Sequence, residues 1–127
     1  MATEAVVLTK FRQKIAAFMA GTGTLAPAKY IVFGDGGHNS DGTVKPVSEV
    51  QDGLRHEILR KEMTSAYQDD LLSFTVKGDI DKNELVGSVI SEVGIADAEG
   101  DIIGVKNYPP KVIGADERYG MLVRVRM

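Results

Sequence analysis

Cysteine is absent from the 127-residue chain, which removes disulfides, thiolate metal sites and cysteine nucleophiles together. Histidine is scarce. His38 and His56 are the only two, neither belongs to an HExxH or similar metal pairing, and both are expected to face solvent. Long apolar runs are missing as well: none approaches the roughly 20 residues of a membrane span. The Val6–Leu8 run is short and soon followed by charge, unlike a signal peptide. Concentrated positive charge is the last absence. Net charge is −3, and the basic residues scatter between Lys10, Arg12, Lys14 and Arg55, Arg60, Lys61, so no nucleic-acid footprint is formed. The expectation is a soluble intracellular product with neither nucleic acid nor membrane as partner.

What remains is ordinary for a globular protein, with 43% hydrophobic and 26% charged residues. The length suits one domain, residues 1–127, able to bury a sizeable core. The most informative stretch is Gly87–Asn107, GSVISEVGIADAEGDIIGVKN. Two apolar runs, Val89–Ala96 and Ile102–Val105, flank Asp97-Ala98-Glu99-Gly100, a loop whose Asp can bond its own backbone and whose Gly takes positive φ freely. This predicts a β-hairpin closed by a type I turn plus a left-handed Gly. On its first strand Val89, Ser91, Val93 and Ile95 share one face, with Ser88, Ile90, Glu92 and Gly94 on the other.

In chain order, residues 4–20 read as an amphipathic helix with Val7, Leu8, Phe11, Ile15, Phe18 and Met19 on one stripe and Lys10, Gln13 and Lys14 opposite. Thr3 would cap it, Glu4 would suit its positive end, and Gly21 would follow it. Lys29–Phe33 is a short strand running into the Gly34-Asp35-Gly36-Gly37 loop, which continues to Pro46. One helical turn is expected within Val47–Gly53. Leu54–Met63 alternates enough to be read as a strand. Leu71–Lys77 is a clearer one, with Leu72, Phe74 and Val76 on one face. A polar loop follows at Gly78–Glu84, and Tyr108-Pro109-Pro110 should end the second hairpin strand, because proline cannot donate to a ladder. Tyr119–Met127 closes the chain with Met121, Val123 and Val125 inward. One helix followed by mostly antiparallel strands predicts an α+β fold, an N-terminal amphipathic helix packed on a mainly antiparallel sheet or sandwich.

Chemistry is harder to find. The 34–37 loop matches neither GxGxxG nor GxxxxGK[ST], so it is no phosphate cradle. Asp35, Asn39 and Asp41 miss the EF-hand spacing, because Gly37 and Ser40 fall on the third and sixth positions. No catalytic residue, cofactor or metal site is therefore assigned. The open alternative is a small ligand- or metal-binding module using loop 34–42.

Several segments, in order, resemble the N-terminal domain of phage tail-collar fibre proteins. They are the N-terminal helix, the strand ending Phe33-Gly34-Asp35-Gly36-Gly37, Pro46, and Leu54, Glu57 and Arg60 spaced as L-x-x-E-x-x-R. The last is Ser91-Glu92-Val93-Gly94-Ile95-Ala96-Asp97-Ala98-Glu99-Gly100-Asp101-Ile102-Ile103-Gly104-Val105, with Asn107 and Pro109 following. The similarity spans nearly the whole chain. It departs at Ser91, where the family has Arg, at Ala96, where it has an aromatic residue, and in ending at Met127 without a shaft. The resemblance implies a non-enzymatic virion structural protein of the tail or baseplate, an adaptor joining a tail fibre to the baseplate, assembled in the host cytoplasm. It also implies a homotrimer. Its motif residues would be Gly34, Asp35, Gly36, Gly37, Leu54, Glu57, Arg60, Glu92, Gly94, Asp97 and Gly100, with Glu57, Arg60 and Glu92 as a charged network across strands or subunits and Gly34–Gly37 shaped for packing or a partner's approach.

Overall fold

The computed structural model describes residues 3–127. Its elements are β1 (Thr3–Val7), α1 (Thr9–Met19), β2 (Ala28–Gly34), β3 (Glu57–Glu62), β4 (Ser65–Asp70), β5 (Ser73–Ile80), β6 (Val89–Asp97), β7 (Ile102–Val112) and β8 (Tyr119–Arg126). The strands form one mixed sheet in the order β3-β2-β6-β7-β1-β8-β5-β4, so the α+β expectation holds. All strand neighbours are antiparallel except β1 and β8. No helix among the described residues is long and apolar enough to cross a membrane.

The start of the chain corrects the sequence reading. Residues 3–7 are a strand wedged between β7 and β8, with Val6 opposite Val105 and Ala5 opposite Val125. In Thr-Glu-Ala-Val-Val, Ala5 and Val7 are buried, a period of two that so short a window cannot separate from a helical stripe. The helix is left with eleven residues. Leu8 takes the N-cap position without a side-chain bond, so Thr3 caps nothing, and Glu4 instead meets Arg126 Nε at 3.2 Å. Gly21, at φ +76°, ends the helix as expected. Leu8 and Phe11 are buried, whereas Phe18 and Met19 remain exposed.

β3 and β4 stand at opposite ends of the strand order, yet only Met63 and Thr64 separate them. The Met63 amide donates to the Lys29 carbonyl of β2, and the Thr64 amide to the Lys77 carbonyl of β5. Residues 57–70 thus act as one bent strand that pairs first with β2 and then with β5, and the sheet curls back on itself. Inside lie Ile31 and Phe33 of β2, Val76 and Ile80 of β5, Val93 and Ile95 of β6, and Val123 and Val125 of β8, all fully buried. β5 approaches β2 tightly across this core at Gly78, where a Cβ would overlap Ile31 Cγ2. On the outer face, Val47 and Leu54 from the long 35–56 segment cover Val32, Ala96 and Val105 together with Leu8.

The strand reading of 54–63 holds as β3, and the inward Val123 and Val125 of the last strand hold as well. Three other boundaries move. β5 continues through Gly78 to Ile80, both buried, so the polar loop begins at Asp81. Residues 48–51 make a hydrogen-bonded turn, Gln51 amide to Ser48 carbonyl, and not a helical one. β7 runs through Pro109-Pro110 to Val112. It does so because the register jumps from Glu92↔Asn107 to Ile90↔Lys111, leaving 108–110 as a bulge, while β1 pairs β7 only at Gly104 and Val105. Prolines there forfeit no ladder bond.

Gly78→Ala should destabilise the protein by about 1–3 kcal/mol through overpacking. In denaturant melts, adding Ile31→Ala should cost clearly less than its effect alone, because it empties the space that the new methyl needs.

Candidate functional site

Glu92 is fully buried on β6. A register shift between Ile90 and Glu92 breaks the strand's alternation there, so Ile90 joins Val93 and Ile95 in the core instead of sharing a face with Glu92 and Gly94. Among the described residues no cationic side chain forms an ion pair with Glu92. Three backbone amides satisfy it instead: Gly36 N and His56 N donate to Oε2, and Arg55 N donates to Oε1, each at 2.9 Å. Hydrogen bonds to a charged group contribute about 1.5–3 kcal/mol each, and a buried carboxylate without them would carry a desolvation penalty of several kcal/mol.

The glycine run follows from that arrangement. A Cβ at Gly34 would overlap the His56 carbonyl and crowd the Glu92 carboxylate; one at Gly36 would lie 2.8 Å from Arg55 Cβ, and one at Gly37 would overlap the Ser91 carbonyl. Gly37 N donates to Ser91 Oγ at 2.9 Å, and Ser91 Oγ also meets His38 Nδ1 at 2.7 Å. The loop is therefore shaped by the chain's own packing. His56 faces solvent as expected and pairs with the Asp35 carboxylate, but His38 is half-buried against Ser91.

A second group forms at the β6–β7 turn, which has the predicted geometry. Gly100 is at φ +95°, its amide donates to the Asp97 carbonyl, and Asp97 Oδ1 accepts the Glu99 and Asp101 amides at 2.9 and 3.0 Å. Lys14 of α1 reaches over this turn. Its Nζ lies 2.6 Å from Asp97, 2.6 Å from Glu99 and 2.8 Å from Asp101. Partial burial lowers the pKa of the ammonium, but the hydrogen bonds to Asp101, Asp97 and Glu99 outweigh it and raise the pKa well above the ordinary lysine value. These three acids are the one carboxylate group among the described residues close enough to hold a cation, and the ammonium supplies it. Arg60 binds the same turn from β3. It donates to the Gly100 carbonyl at 2.8 Å and makes two contacts with Glu57, at 3.1 and 2.9 Å, and the hydrogen bond to Glu57 raises its pKa.

The expected network of Glu57, Arg60 and Glu92 is thus corrected. Glu57 and Arg60 pair at the turn, whereas Glu92 serves backbone amides in the other group. Leu54 joins the two groups, since its Cδ1 occupies the space where a Cβ on Gly94 would sit 2.6 Å away. Beside the turn opens a cleft of about 720 Å³ between α1 and residues 52–60, with Phe11, Leu54 and Ile102 as its apolar part. Its charges are paired internally, Lys10 with Asp52 at 2.9 Å and Lys14 and Arg60 as above.

The loop 34–42 does not assemble a ligand set. Asp35 is turned to His56, Asn39 donates to Thr43 Oγ1, and Asp41 accepts from the Thr43 hydroxyl and amide, bonds that lower its pKa. Sequence reasoning did not single out Lys14, Arg55 or Ser91 for these roles. Lys14 alone left a trace, because three acids in one five-residue turn call for a cation, but the donor was not identifiable without the fold. In comparisons with known proteins, no family model, no curated protein and no solved structure matches the chain.

Glu92→Gln should lose about 3 kcal/mol or more in urea unfolding, since its amide offers one acceptor and aims a donor at backbone donors. The lysine cluster predicts a pH dependence. Hydrogen bonds from Lys14 and then Thr24 hold the Glu99 pKa below its ordinary value, so its contribution is present above the ordinary glutamate range and is lost as pH falls through the depressed folded value. Lys14→Met should flatten the loss of melting temperature over that acidic window.

Proposed function

We propose that this chain is a structural component of a phage tail, an attachment domain that joins a tail fibre to the baseplate through interface burial, without a catalytic step. The observation that supports the reading is convergence. Three of the segments that carry the resemblance, Gly34–Gly37, Leu54–Arg60 and Ser91–Gly100, lie far apart in sequence yet meet as one hydrogen-bonded unit over β6 and its turn. Their residues require one another sterically and through backbone donors, as expected where a motif maintains a rigid docking body and not a reaction centre.

The surface offered for docking is the cleft along α1. Its paired charges leave little uncompensated charge to desolvate, and its apolar part gives a partner side chain something to bury against. A stable attachment needs on the order of 1,600 Å² buried in total, so the cleft would be the centre of a larger contact. The homotrimer that the resemblance implies belongs to the same proposal.

Light scattering of the purified chain mixed with the baseplate and tail-fibre proteins encoded beside it tests this reading. A defined complex with either is expected, weakened about tenfold or more by Gln13→Trp, which fills the cleft rim from an exposed position. Binding to neither protein overturns it.

A further inference from the structure

We propose that the unpaired edge of β4 is a self-association site, where β4 of a second copy adds antiparallel across a two-fold axis. On the side away from β5, residues 65–70 make no backbone hydrogen bond to any other described element. Such an edge is a template for another strand unless it is defended. β3, at the other end of the sheet, is defended by Glu57, Arg60, Lys61 and Glu62. β4 reads SAYQDD, with neither proline nor a basic residue, and every position is exposed.

Three further features fit the same occupant. An apolar groove of about 400 Å³ runs along this edge between β4 and the segment before β2, lined by Leu25, Pro27, Met63, Tyr67 and Phe74. At the other end of β4 the hairpin loop is Leu71-Leu72, exposed by 92% and 63%, at positions that usually carry Asn, Asp or Gly. A two-fold pairing centred on Tyr67 sets Ala66 opposite Gln68 and Ser65 opposite Asp69 of the second copy. It therefore brings Leu71 of each copy beside Met63 of the other, at the groove's end.

Charge is complementary in that register. One end of β4 carries Asp69, 2.6 Å from Arg124, and Asp70, 3.7 Å from Arg126, which Glu4 also meets, so the acids there outnumber the arginines. The other end is flanked by Lys77, paired with Ser65 and free of any ion pair among the described residues, and by Lys29, whose carbonyl holds Met63 and whose ammonium lies 3.7 Å from Glu62, so the lysines there outnumber the acid. Antiparallel addition brings each acidic end to the basic end of its mate, and the symmetry repeats every contact twice. This contact goes beyond the attachment reading and does not depend on it, since it pairs copies that are free or already part of a fibre root.

The test is mass by light scattering together with amide hydrogen exchange over rising protein concentration. An assembly containing pairs of chains is expected, with protection of the 65–70 amides growing with concentration while the 57–62 amides stay unchanged. Leu71→Ser with Leu72→Ser, both at an exposed loop tip, should weaken it about tenfold or more, and Lys77→Glu should weaken it in a salt-dependent way. A monomer at all concentrations overturns the proposal. So does an assembly that survives the leucine variant, or one whose 65–70 protection ignores concentration.

Discussion

A buried carboxylate held by backbone amides, with no cationic partner among the described residues, is the constraint on which the outer half of this fold depends. Glu92 cannot lie on the covered face of β6 unless something donates to it, and the donors are the amides of Gly36, Arg55 and His56. Those amides belong to the two ends of the 35–56 segment, so a single side chain fixes where that long connection leaves β2 and where it returns to β3. Long connections without secondary structure of their own are uncommon in small domains. This one is ordered because both its ends are tied to the same two oxygen atoms and its middle is pinned by Asn107, whose side-chain amide donates to the Lys45 carbonyl at 3.0 Å, and by Val47 on the outer apolar cluster.

The turn cluster does comparable work by the opposite means. There one ammonium bridges three carboxylates, and the gain comes from charge pairing at a partly exposed site, where each pair taken alone contributes little. Its value is positional. Lys14 anchors α1 to the β6–β7 turn, and Arg60 anchors β3 to that turn's last carbonyl. The helix, an edge strand and the central hairpin are thereby held at one corner.

Much of the sheet was legible in the sequence wherever alternation and turn chemistry agreed. The Asp97–Gly100 turn, β2, β3 and β8 followed from pattern alone. Residues 3–7 misled because five residues of Thr, Glu, Ala and Val satisfy either period, and the vacancy between β7 and β8 that decides the matter is formed by the far end of the chain. β4 left no signal, because a strand exposed along its whole length has no apolar face to alternate. At the site, the glycine run stood out from the residues themselves, whereas Glu92, Glu57 and Arg60 were named only through the resemblance, and the partners of none of them were identified. Backbone amides leave no mark on a sequence, and Lys14 resembles any other lysine on a polar helix face.

The place of β1 has a consequence for how the molecule is made. β1 has no slot to occupy until β7 and β8 are both in place, since it pairs with both. Pairing across so long a sequence separation makes folding slow and late, and it leaves Ala5 and Val7, buried in the finished sheet, without cover until then.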